Sequence, residues 1–252
     1  SGTAGVWRLE NPAALVAGAE EISLAQGCLS REAGRICAQG NWRRTLGWNV
    51  TASARHFPLS LMQPLFQQDI GLTGSMDADV VARAPYAGTS SATIGLRLSP
   101  GSVRHPARGE HQVQVDYDTA SATLQAKQGR AQSHLSVRLK NQGTLDASLA
   151  FPLNLSGTTA PADASMQGDI NASLHDLSPL ALFFPQLYQT RGRLDASWQV
   201  RGTLQRPRLS GQLTLKDGAA DIPRLGIHLR ETRVSLSGDG SDVLRITGRM
   251  HS

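Results

Sequence analysis

Leu135-Ser136-Val137-Arg138-Leu139-Lys140-Asn141-Gln142-Gly143 is the stretch that decides the fold. Leu135, Val137 and Leu139 hold every second position, and Ser136, Arg138 and Lys140 fill the places between them. A strand points successive side chains to opposite sides, so this run carries one oily face and one wet face. Asn141-Gln142-Gly143 then stops it with residues suited to a tight turn.

The same pattern extends outward in both directions. Upstream stand Ile94, Leu96 and Leu98 against Gly95 and Arg97, then Val113, Val115 and Tyr117 against Gln114 and Asp116, then Ala122, Leu124 and Ala126. Downstream come Leu149, Phe151, Leu153 and Leu155; Leu194, Ala196, Trp198 and Val200; Leu209, Gly211, Leu213 and Leu215; Val234 and Leu236; and Leu244 and Ile246. Asp118-Thr119, Gln128-Gly129, Lys216-Asp217-Gly218 and Gly238-Asp239-Gly240-Ser241-Asp242 separate these runs and read as hairpin turns. Consecutive strands joined this way predict an all-β chain, an antiparallel meander.

Two segments break the alternation. Pro58 to Phe66 and Leu177 to Phe184 are apolar without a two-residue period, and each predicts a short helix, with Ser60 and Ser178 as N-caps and Pro179 in the first turn. They also expose a repeat. Leu59-Ser60 aligns with Leu177-Ser178 and Gly74 to Ala78 with Gly192 to Ala196 at an offset of 118 residues (177 minus 59), and Val50 to Ser53 resembles Ile170 to Ser173 at an offset of 120 (170 minus 50). The expected organisation is residues 1–57 as β hairpins, 58–168 as a short helix and meander, and 169–252 as a second helix and strands, in one continuous elongated domain.

One face of every strand is apolar and needs cover. Aromatic residues are only 5% of the chain, so the large interlocking side chains of a sandwich core are scarce. A long twisted sheet can instead curl until its oily faces look at one another across a trough, a half-pipe with an apolar lumen. The larger apolar members of the rows above, with Phe151 and Trp198, are then the candidate groove-lining residues, and a lipid tail is a fitting guest. A conventional sandwich with a dry core is the alternative that periodicity leaves open.

The 252 residues carry a formal charge of +5, and Arg is scattered along the strands with no basic block interleaved with aromatics. That pattern argues against nucleic acid as a partner and leaves only a diffuse attraction to anionic headgroups. No apolar run approaches the roughly 18 residues of a spanning helix, and Ser1-Gly2-Thr3-Ala4 shows no signal peptide. The abrupt ends suggest an interior piece of a longer protein.

Cys28 and Cys37 are the only cysteines, too few for an all-cysteine zinc site and too far apart for a C-x-x-C redox motif. Strand-like residues flank them and Gly34 offers a turn between, which favours a structural disulfide over two unrelated thiols and implies an oxidising compartment. The seven histidines form no ligand pair, and no nucleophile elbow, phosphate loop or dinucleotide motif occurs. Asp77 and Asp79 read as solvated surface. The expectation is a chain that is not an enzyme and has no catalytic residue, metal or cofactor.

Gly192-Arg193-Leu194-Asp195-Ala196-Ser197-Trp198-Gln199-Val200-Arg201-Gly202-Thr203-Leu204-Gln205-Arg206-Pro207-Arg208-Leu209-Ser210-Gly211-Gln212-Leu213, continued by Asp217-Gly218 and Ile222-Pro223 through Gly226-Ile227, resembles the TamB branch of the AsmA-like envelope proteins. The Cys hairpin followed by Gly40-Asn41-Trp42 is similar to that family too. The resemblance is strongest from Asp169 to Gly248, while Pro85 to Pro161 shows generic strands. It implies a β-taco in the periplasm of a Gram-negative bacterium, belonging to a protein anchored in the inner membrane and partnered with the outer-membrane barrel TamA. It further implies a role in carrying phospholipid between the membranes, or in assembling outer-membrane proteins such as autotransporters by strand augmentation.

Overall fold

A computed structural model describes residues 6–65, 70–105, 113–153, 164–182, 184, 188–203, 205–223 and 226–251. In chain order the strands are β1 (Arg8–Leu9), β2 (Leu15–Ala17), β3 (Glu21–Arg31), β4 (Gly34–Arg43), β5 (Gly47–Pro58), β6 (Gly71–Leu72), β7 (Ser75–Pro85), β8 (Ser91–Leu98) and β9 (Gly101–His105). They continue as β10 (Val113–Lys127), β11 (Arg130–Leu139), β12 (Gly143–Pro152), β13 (Ser165–Leu174), β14 (Tyr188–Thr203), β15 (Pro207–Ile222), β16 (Ile227–Asp239) and β17 (Leu244–His251). All 17 belong to one antiparallel sheet.

The ladder runs mostly in sequence order. β1 and β2 both pair with β3, and β3, β4, β5, β7 and β8 follow one another. β8 and β9 then share β10 as their neighbour, with β6 on β9. From β10 to β17 each strand pairs with the next. Among the described residues no register joins β17 back to the N-terminal strands, so the sheet stays open. The all-β, curled single-sheet expectation holds, and the two-layer sandwich does not.

Local chemistry explains the turns. Gln128 and Gly129 both take positive φ, 55° and 74°, as a two-residue turn matching the strand twist requires. Two expected turns are corrected. Asp118 and Asp217 lie inside strands, because residues on either side of each keep ladder partners: Tyr117 pairs with Leu139 and Thr119 with Arg138, while Leu215 pairs with Val234 and Gly218 with Thr232. The extra residues are β-bulges, which leaves β10 and β15 at 15 and 16 residues. His56, Gln189, Asp217 and Glu231 have positive φ and each sits at such a register shift. Bulges bend a strand and increase its twist, so they are where this sheet curls.

Both expected helices are short 3-10 turns, Leu59–Leu65 and Ser178–Leu182. At the second, Asp176 acts as the cap: its carboxylate accepts the Ser178 N–H at 2.9 Å and the Ser178 hydroxyl at 2.8 Å. Gln142 Nε2 donates to the same hydroxyl oxygen at 2.8 Å, tying the turn to the loop before β12. The turn lies against both β10 and β14, four ladder steps apart, which requires the sheet to bend between them. The 118-residue offset recurs in the pairing: Ala54 faces Ala78 across β5 and β7, and Ala172 faces Ala196 across β13 and β14 (172 minus 54, 196 minus 78), which matches Ala172 to Ala54 and not to Ala52 as the sequence alone aligned them.

Candidate functional site

Residues paired across an antiparallel ladder project to the same side, so the registers show which side chains share a face. Leu98, Leu96 and Ile94 pair with Ala120, Ala122 and Leu124. Ala120 and Ala122 pair in turn with Val137 and Leu135, and Tyr117 with Leu139. Val115 joins this face through Val103, and Val113 lies two residues further along it. Leu135, Ser133 and Ala131 face Ala147, Leu149 and Phe151, with Leu153 next on the same side. Through Ile170 and Gly168 the row reaches Trp198 and Val200, and through Leu174 it reaches Leu194. Leu194, Ala196 and Val200 then face Leu215, Leu213 and Leu209. Leu215 and Leu213 face Val234 and Leu236, which lead to Leu244 and Ile246 on β17. Every described candidate from the sequence therefore lies on one continuous face. Leu155 lies outside the described residues.

The same face continues through strands that the sequence reading did not assign to it. Met76, Ala78 and Val80 pair with Leu98, Leu96 and Ile94, and beyond them come Val50, Ala52 and Ala54. Ile36 and Leu29, then Trp42 and Ile22, complete it toward the N-terminus. The alternation Val50-Thr51-Ala52-Ser53-Ala54 carried that signal in plain view. Trp42, Trp48 and Trp198 are all on this side, and Trp7 stacks on Phe57 of the same side with ring centroids 6.0 Å apart. All four tryptophans of the chain thus gather on the apolar face.

This face is only partly covered. Leu96, Leu135 and Ile170 remain 37%, 38% and 36% exposed, and Ile246 on the last strand 70%. Among the described residues no large side chain is fully buried. The tightest packing is a cluster of small residues, Ala92, Ala126 and Ala131, closed over by Leu124, Phe151 and Leu153 near the β10–β11 turn. Near the opposite rim Tyr117 is buried, and its hydroxyl donates to the Thr73 carbonyl at 3.0 Å. Gly101 and Gly74 make room for that phenol: a Cβ at Gly101 would stand 2.6 Å from its oxygen, and one at Gly74 2.9 Å. Burial pushes the Tyr117 pKa up, so the donor keeps its proton. Gly238, two strands away, likewise leaves room for Trp198, since a Cβ there would be 3.1 Å from the indole ring.

The other face is polar. Cys28 and Cys37 pair directly across β3 and β4, form the expected disulfide, and share this side with Ser53 and Asp79. Ion pairs lace its N-terminal part: Arg35–Glu10 at 2.8 Å and Arg55–Asp79 at 2.6 Å. A concavity of about 620 Å³ on this side is lined by Gln125, Gln132, His134, Gln167, Asp169 and Gln199 among others. Amides and charges of that kind favour water; of the apolar candidates Leu149 and Val200 also touch this hollow, and the other described ones lie on the open surface behind it. Among the described residues, no three His, Cys, Asp or Glu side chains gather as a metal site would need, and no helix is long and apolar enough to cross a membrane.

A family model described as TamB, N-terminal domain, matches residues 1–215. No curated protein and no solved structure matches the chain. The match takes in residues 85–161, where the sequence alone showed generic strands, and ends within β15.

Proposed function

The chain belongs to the TamB family, and on that premise we propose that its apolar face holds phospholipid acyl chains as a periplasmic segment of a bridge between the inner and outer membranes. One observation carries this reading: a single apolar face crosses the whole ladder, and its leucines, valines and isoleucines stay partly open instead of closing into a core. Open apolar patches of that extent are unusual on a protein with no apolar guest. Each methylene moved from water onto such a surface gains about 0.8 kcal/mol. A tail of roughly 16 carbons therefore gains on the order of 10 kcal/mol before ordering costs. Tails lie on the apolar side and headgroups remain in water. TamA at the outer membrane is the expected partner, and the surface serves by shape and solvation, with no catalytic step.

Photo-crosslinking from successive residues tests the reading. Benzoylphenylalanine at Leu135 or Leu149 should capture phospholipid, and at Ser136 or Ser148 on the wet side it should not. Equal capture from both sides, or none from either, refutes it. A second reading has its own support: β17 is exposed along its whole length and shows no partner on its far edge among the described residues. Such an edge can accept a strand from an outer-membrane protein client by β-augmentation. In that case crosslinkers along β17 capture protein, and charges on the apolar face leave function intact.

A further inference from the structure

The basic residues that look scattered in the sequence converge on one part of the polar face. Arg193 of β14 pairs with Lys216 of β15, and Arg233 of β16 pairs with Arg249 of β17. Lys216 adjoins the bulge between Leu215 and Gly218, directly before the level of Arg233. Four cations thus form a row across four successive strands. At about 4.8 Å per strand the row is roughly 14 Å long.

Like charges set opposite each other on a sheet destabilise it; the protein also sets Arg201 opposite Arg208, and Arg35 opposite Arg55, the second pair relieved by carboxylates. Toward the N-terminus each of Arg35, Arg43, Arg44 and Arg55 has a carboxylate within 3.1 Å. In the C-terminal row the one ion pair among the described residues is Arg233 with Asp217, at 3.6 Å and with both side chains mostly exposed. The next level of the same face begins on β14 with the Asp195 carboxylate, which accepts the Ser173 hydroxyl at 2.8 Å, and continues with three hydroxyls in register, Thr214, Ser235 and Thr247. These three residues line a concavity of about 410 Å³ together with Lys216, Arg233 and Arg249. Excess positive charge beside hydroxyl donors in a hollow fits phosphate oxygens, which guanidinium groups engage through paired N–H donors. All four tryptophans lie on the other side, so no indole is available there to stack a nucleic acid base.

We propose that β14–β17 carry, on the face opposite the apolar one, a binding site for a phosphate-bearing ligand. The site is separate from the acyl-chain surface and does not depend on that surface's function. The phosphate belongs either to a lipid headgroup or to a soluble compound, and two probes tell these apart: inorganic tripolyphosphate, and phosphatidylcholine vesicles with or without phosphatidic acid. Using the full chain, tripolyphosphate should bind, and Arg233→Gln or Arg249→Gln should each weaken it about tenfold, the value of one charge-assisted hydrogen bond. Arg138→Gln removes a charge from the same face three strands away and should leave binding unchanged. Vesicle binding that requires phosphatidic acid and is lost in Arg233→Gln identifies a headgroup site; binding of tripolyphosphate without vesicle binding identifies a soluble ligand. Leu213→Asp, on the apolar side, should bind tripolyphosphate as the unaltered chain does, so failure of the lipid reading leaves this one standing. The variants remove mutual repulsion, so their melting temperatures should hold or rise. No binding of either probe, or equal weakening by Arg138→Gln, overturns the proposal.

Discussion

A single carboxylate moved by one residue separates the two faces of this sheet. Leu213 stands between Ala196 and Leu236 on the apolar side; Gln212, its neighbour in β15, stands between Ser197 and Ser237 on the wet side. Leu213→Asp and Gln212→Asp introduce the same charge a few ångströms apart. Leu213 is half-buried, so replacing it forfeits about half the transfer energy of a leucine, about 1–2 kcal/mol, and the new carboxylate still reaches water. The protein should therefore fold. A tail crossing one strand spacing lays about four methylenes against it, worth about 3 kcal/mol. Losing half of that contact lowers lipid affinity about tenfold. The assay is organic extraction of each purified variant, with phospholipid counted per chain by mass spectrometry and folding checked by far-ultraviolet circular dichroism. Leu213→Asp should be depleted of lipid and Gln212→Asp should match the unaltered protein. A folded Leu213→Asp that keeps its full complement, or a Gln212→Asp that loses as much, refutes the reasoning.

Other perturbations address what holds the sheet. Replacing Cys28 and Cys37 by serine opens a loop closed over a sequence separation of 9, which should cost roughly 2.5 kcal/mol of unfolding free energy in urea titrations; an unchanged midpoint contradicts this. Tyr117→Phe removes the hydrogen bond to Thr73 and should cost about 1 kcal/mol, whereas Gly101→Ala forces a Cβ into both partners and should cost clearly more in the same titration. Asp221 accepts hydrogen bonds from His228 and Arg230, which hold its carboxyl below the usual range, His228 first. Its stabilisation is present above the unfolded carboxylate pKa and is lost as pH falls through the lower folded value. Asp221→Asn should therefore melt earlier than the unaltered chain at neutral pH, with the difference closing in acid. A gap that persists at low pH contradicts that linkage.

Much of this was legible in the sequence. Leu135, Val137 and Leu139 announce their face because a strand has a period of two whatever surrounds it. Gln128-Gly129 and Gly240 mark turns because few other residues take positive φ comfortably. Cys28 and Cys37 flank a short polar segment and were legible as a bridge, but the turn lies at Glu32-Ala33 and Gly34 already opens β4, so their direct pairing follows from the hairpin register. What was hidden depends on neighbours remote in sequence. Asp118 and Asp217 look like turn residues, and only the partner strand shows that the ladder runs past them. Tyr117 and Thr73 meet across 44 residues. The cationic row joins positions as far apart as Arg193 and Arg249, and no local pattern announces which face of which strand lies beside another.

The four tryptophans on the apolar face allow the central claim to be measured without a label on the protein. Phospholipids brominated along the acyl chain quench indole fluorescence only on close approach, while the same lipids without bromine report any change of environment. Titrating the purified chain with both should give saturable quenching by the brominated lipid alone, weakened in Leu213→Asp and unchanged in Gln212→Asp. Emission that stays constant at saturating brominated lipid would mean that acyl chains do not occupy this face, and the conduit reading would fall.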